Sequence, residues 1–97
     1  MELDFTINKI DELYTEAINY YNIYKSSLEE MNRIINELST VWKSDETQTY
    51  QEFYQKYKEN YPKLVEAKEM MEKFCNQIEE KKNELIEVST RSINSFE

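Results

Sequence analysis

Ser39-Thr40-Val41-Trp42-Lys43-Ser44-Asp45-Glu46-Thr47 stands at the middle of the chain, where a long helical pattern lapses and then begins again. Ser39 and Thr40 are weak helix formers, because their hydroxyls compete for nearby backbone groups. Ser44 offers the side-chain oxygen of an N-cap, and Asp45 and Glu46 follow it where carboxylates oppose the positive end of a helix macrodipole. The stretch therefore predicts a turn at about 41–44 between two helices.

Upstream of the turn, Ile7, Ile10, Tyr14, Ala17, Tyr21, Tyr24, Leu28, Met31, Ile35, Leu38 and Trp42 recur at alternating spacings of three and four. Such a heptad seam predicts one helix from about residue 5 to 40. At about 1.5 Å per residue that helix is on the order of 50 Å long. Downstream, Tyr50, Phe53, Tyr54, Tyr57, Tyr61, Leu64, Ala67, Met71, Phe74, Cys75, Ile78 and Leu85 continue the pattern, with Lys68 and Lys82 interrupting it. They predict a second helix over about 45–90, and the Ser- and Asn-containing residues 91–97 read as a flexible tail. Pro62 removes a backbone donor and crowds the carbonyl four residues earlier. Because Tyr57, Tyr61 and Leu64 keep their spacing across it, a kinked continuous helix is expected; a third helix capped by Asn60 is the alternative.

The fold class that results is all-α: one domain over 1–97, an antiparallel two-helix hairpin that pairs into a four-helix bundle. The pairing is inferred from the width of the apolar stripe. Leu13, Tyr20, Ile34 and Val41 flank the first seam on one side, and one partner helix covers only a narrow stripe. Tyrosine buries its ring while keeping its hydroxyl wet, so Tyr54, Tyr57 and Tyr61 join Leu13, Tyr20, Ile34 and Val41 as the expected partner interface. A turn centred near Lys43 places Ile7 beside Ile78 and leaves everything beyond about Glu80 overhanging. Leu85, Ile86, Val88, Ile93 and Phe96 in that overhang are a candidate docking segment.

Composition excludes much else. Gly is absent and Pro occurs once, which removes the residues of phosphate-binding loops and tight hairpins. The net charge of −8 disfavours nucleic acid and anionic membrane surfaces as partners. No apolar run approaches the length of a spanning helix, so no membrane insertion is expected, and the acidic start Met1-Glu2-Leu3-Asp4 lacks the features of a signal peptide. Without histidine, the usual Cys/His zinc sites and Ser-His or Cys-His nucleophile pairs are ruled out; no cofactor and no enzyme activity are expected. Cys75 lies on the core stripe and reads as a buried, inert thiol. Glu29-Glu30 and Glu79-Glu80 are helix neighbours pointing about 100° apart, which suits solvated faces and not a convergent site. A pericyclic helical enzyme like chorismate mutase needs converging cations, and Arg33 and Arg91 are the only arginines.

The segment Val41-Trp42-Lys43-Ser44 with Tyr50 eight positions after Trp42 resembles the central turn of the WXG family, the ESAT-like helical hairpins of bacterial type VII secretion. Total length, the mid-chain Trp and two long amphipathic arms extend the resemblance over the whole chain. Ser44 stands where the family has Gly, exchanging freedom at positive φ for a capping hydroxyl. The family's export signal, an aromatic residue with an acidic one four positions on, is missing: Phe74 is followed at that spacing by Ile78. The resemblance implies a protein partner, either another WXG-like chain in a homodimer or heterodimer or the helical N-terminal domain of an LXG toxin. It also implies a cytoplasmic chain that is exported, where it is exported, with that partner. The Asn, Lys, Ile and Tyr bias is what an AT-rich genome gives and points to a low-GC Gram-positive bacterium. Trp42, Lys43, Ser44 and Tyr50 are its turn motif, although a buried Trp is explained by packing alone. An intracellular acidic adaptor or immunity-type binding protein is the alternative that the charge supports.

Overall fold

A computed structural model describes residues 2–42 and 48–94, with side chains through residue 90. Two helices account for the architecture: α1, Glu2–Trp42, and α2, Thr49–Asn94, a helical hairpin with no strand among the described residues. Glu2 and Asp4 in the first turn of α1 and Glu52 in that of α2 face the positive helix ends. Lys43, Ser44, Asp45, Glu46 and Thr47 lie outside the described residues, and with them the expected cap at Ser44.

Both helices run further at their C-terminal ends than their patterns predict; α2 is described from Thr49, and its expected start at about 45 lies outside the described residues. Ser39 and Thr40 do not end α1, because their hydroxyls donate to the carbonyls of Ile35 (2.9 Å) and Asn36 (3.1 Å), bonds that a continuing helix accommodates. Thr90 does the same with Ile86 at 3.0 Å, and α2 proceeds to Asn94, so residues 91–94 are helical where a flexible tail was expected. α2 passes unbroken through Pro62. Asn60 caps no third helix: its amide donates to the Lys56 carbonyl at 2.8 Å, one turn back in the same helix.

Contacts group the residues into two compact units, Met1–Tyr21 with Met70–Glu97 and Asn22–Glu69. In the first unit the helices run antiparallel, with Lys82 Nζ 2.8 Å from Asp11, Tyr14 bonded to Glu79, and Tyr21 Oη donating to Glu72 at 3.0 Å. These pairs correct the expected register: Tyr14 meets Glu79, roughly two turns beyond the Met71 that a turn at Lys43 would bring to it. The overhang disappears accordingly. Leu85 is half-buried within the first unit, and Ile86 and Val88 are exposed on a helix that has α1 residues opposite it. The side chain of Ile93 and all of Phe96 lie outside the description.

In the second unit α1 and α2 are again antiparallel. Tyr24 Oη donates to the Leu64 carbonyl at 2.8 Å, Asn32 is bonded to Tyr57 and Tyr61, Tyr50 Oη donates to Ser39 at 2.9 Å, and Trp42 Nε1 donates to Thr49 at 3.2 Å. The seam of this unit on α1 therefore runs through Tyr24, Leu28, Asn32, Ile35, Ser39 and Trp42, with Leu28 and Ile35 buried and the others half-buried, and not through Met31 and Leu38, which are exposed. Polar seam residues win for a physical reason. Tyr50, Tyr57 and Tyr61 bring three hydroxyls to the seam, and an all-apolar strip opposite them would leave those groups without partners. The core is thin: Leu28, Ile35, Tyr50 and Cys75 are the buried hydrophobic side chains among the described residues.

Candidate protein-interaction face

Each unit presents an apolar groove beside its seam. In the first unit Ala17, Tyr20, Met71, Phe74 and Cys75 line an open groove of about 200 Å³. Tyr20 is 64% exposed and Phe74 54%, large fractions for rings that flank a core. Leu13 and Met70 are exposed in the same unit. In the second unit Tyr24, Ser27, Leu28, Met31 and Leu64 line a groove of about 160 Å³. Met31, Leu38 and Ile34 follow one another on α1 at helical spacing and all are exposed, as is Val41. Contiguous apolar surface of this kind, rimmed by charge, is the ordinary mark of a protein-binding face.

Of the expected interface residues, Leu13, Tyr20, Ile34 and Val41 are exposed on α1. Tyr54 is exposed on α2, its ring stacked on Tyr50 at 5.6 Å. Tyr57 and Tyr61 are placed differently. Half-buried, they turn toward α1: Tyr57 Oη donates to Asn32 Oδ1, and Asn32 Nδ2 donates to Tyr61 Oη at 2.9 Å. They belong to the seam between α1 and α2. Met31, Leu38, Leu64, Met70 and Phe74, which periodicity alone assigns to the core or leaves unassigned, are exposed instead. A signal for this existed in the tyrosine content of α2, since phenol hydroxyls in a seam call for polar groups opposite them.

Asn32, with Ser39, is thus a polar group within the seam, half-buried and hydrogen-bonded to two tyrosines. A seam amide satisfied in one alignment specifies register at some cost in stability, because alternative alignments strand it. Asn32→Leu is expected to leave melting temperature unchanged or higher, while broadening the amide resonances of the second unit in heteronuclear NMR as alignments compete. A sharp, single-state spectrum for Asn32→Leu would show that the tyrosine contacts do not set the register.

At the turn end of the second unit, Trp42 forms an aromatic cluster. Its ring lies 6.0 Å from Tyr50, edge-on, and 5.3 Å from Phe53. Trp42 and Tyr50, two of the four turn-motif residues, are therefore brought together; Lys43 and Ser44 lie outside the described residues.

The electrostatics of the first unit centre on tyrosine–carboxylate pairs. The hydrogen bond to Glu79 raises the Tyr14 phenol above its ordinary value, with burial and the Glu79 charge adding to the effect; Cys75 and Asp11 contribute less. Burial raises Tyr21, followed by its bond to Glu72. Lys82 lies 5.5 Å from the Tyr14 ring centre while paired with Asp11. Both phenols are harder to ionise folded than unfolded. Their contribution to stability is complete below the ordinary tyrosine value of about 10 and is lost as pH rises through the elevated values. Circular dichroism in an alkaline titration is expected to show helix loss that tracks tyrosinate absorbance and is reduced in Tyr14→Phe with Tyr21→Phe. An unchanged alkaline transition in that double variant would contradict this assignment.

No group of three or more His, Cys, Asp or Glu side chains able to hold a metal occurs among the described residues, and no helix there is long and apolar enough to cross a membrane. No family model matches the sequence, and neither a curated protein nor a solved structure matches it.

Proposed function

We propose that the chain is a WXG-like helical protein that serves as a dimerisation partner, or targeting chaperone, for an effector exported by type VII secretion, such as an LXG-type toxin. The observation that carries this reading is the uncovered apolar face: Met31, Ile34 and Leu38 are exposed beside a groove, in a hairpin whose core holds few buried side chains. Covering this face with two further helices gives a four-helix bundle.

The mid-chain Trp42 packed on Tyr50 supports the family likeness. In this reading the protein acts in the cytoplasm before export and leaves the cell, when it does, with its partner. Co-expression with the helical N-terminal domain of an LXG protein encoded beside it tests the proposal. A co-purifying complex that survives high salt is the expected result. A charge-driven complex that salt dissolves, or none at all, would favour the acidic adaptor that the net charge of −8 also suits.

A further inference from the structure

We infer that the turn of α2 around Pro62 is a gate in the second unit that opens locally while the rest of both helices persists, and that the Tyr24 hydroxyl is the latch that closes it. The inference concerns the chain by itself and stands apart from the proposed function.

The helix is weakest at this turn for a covalent reason. Pro62 carries no N–H, so the Lys58 carbonyl one turn back lacks its helical donor, and the proline ring crowds that same carbonyl. Against alanine, such a residue lowers the equilibrium for holding the turn helical on the order of 100-fold. The preceding turn carries a second disturbance: the Asn60 side-chain amide donates to the Lys56 carbonyl at 2.8 Å, in competition with the backbone N–H of Asn60 itself.

Packing does not offset this. From Lys58 to Leu64 no side chain is buried; Tyr61 is half-buried and the other six are exposed. No ion pair ties Lys58, Glu59 or Lys63 to α1 among the described residues. Tyrosine hydroxyls hold the stretch instead. Tyr57 Oη donates to Asn32 Oδ1, and Asn32 Nδ2 donates to Tyr61 Oη at 2.9 Å, both on the N-terminal side of Pro62. Beyond the proline, Tyr24 Oη donates to the Leu64 carbonyl at 2.8 Å. That bond differs in kind, because it grips the backbone of α2 and not a side chain. A carbonyl oxygen has two lone pairs, so Leu64 accepts it without giving up a helical bond. Tyr24 thereby supplies, from α1, a hold on the turn that the proline weakens from within.

The gate covers Leu28. Tyr24, Leu28 and Leu64 line one apolar groove, so parting Tyr24 from Leu64 widens that groove and bares Leu28, which is 8% exposed with the turn closed. A stretch held by polar bonds, with little apolar surface buried, opens at lower cost than the helix around it.

Native-state hydrogen exchange of the full chain over a urea series, read by NMR, tests this. Wild-type amides of about 58–66 are expected to exchange on the order of 10-fold faster than those of 28–35, with almost no urea dependence, the mark of an opening that exposes little surface. Pro62→Ala restores the donor and slows these amides until they share the urea dependence of the rest of α2, a gain on the order of 100-fold. Tyr24→Phe keeps the ring in the groove and removes only the latch, which speeds them about fivefold. Uniform protection and urea dependence along α2 in the wild type would overturn the gate, as would unaltered exchange of these amides in Pro62→Ala. Unaltered exchange in Tyr24→Phe would overturn the latch.

Discussion

Replacing Trp42 with alanine is expected to destabilise the hairpin by about 3 kcal/mol, the largest loss from any single truncation. Trp42 is the largest side chain at the turn end of the second unit, where it packs on both Tyr50 and Phe53 and donates its indole proton to Thr49. Truncation removes two ring contacts and leaves Tyr50, one of the few buried residues, facing water. Because Trp42 is only half-buried, the cost falls below the extreme for a fully enclosed tryptophan. Trp42→Phe keeps one ring on the cluster and is expected to recover about half of the loss. Urea denaturation followed by circular dichroism measures both. A Trp42→Ala variant within about 0.5 kcal/mol of wild type, the range of ordinary surface substitutions, would show that the residue is kept for recognition and not for packing.

Paired substitution of Tyr20→Glu and Ile34→Glu is expected to weaken assembly by about 100-fold or more. In the isolated hairpin both positions are exposed, so a carboxylate there meets water and costs little. In the assembly the same carboxylates enter an apolar contact, where a desolvated charge costs several kcal/mol. The contrast separates the two readings of the chain. An acidic adaptor that works through its charge gains two negative groups and keeps its binding; a helical partner loses it. Unchanged affinity in this variant would move the interaction off the apolar face.

The helices themselves were legible because their heptad spacing is long and nearly unbroken. Register was not. A turn centred at Lys43 predicts Ile7 beside Ile78, whereas Tyr14–Glu79 and Asp11–Lys82 shift the pairing by about two turns. Ser39 and Thr40 bond back to their own helix and α1 continues to Trp42, past the point where the pattern was expected to turn. The face was legible in part. Leu13, Tyr20, Ile34 and Val41 stand out as an excess over one seam, and they are exposed. Two interleaved seams lie on α1, however, and periodicity cannot choose between Met31 and Asn32 or between Leu38 and Ser39. Hydrogen bonding chooses: Tyr57, Tyr61 and Tyr50 take Asn32 and Ser39 as partners, and the apolar neighbours are left outward. The polar residues in the seam thereby create the apolar face outside it.

Sedimentation equilibrium of the wild-type chain over a wide dilution range, beside the Tyr20→Glu with Ile34→Glu variant, tests most directly whether that face is an assembly surface. The expected result is a wild-type mass of twice the 11.9 kDa of one chain, falling to one chain in the variant. A wild-type protein that sediments as a single chain at every concentration and binds no LXG-type helical domain, while fully helical and cooperatively folded, would contradict it.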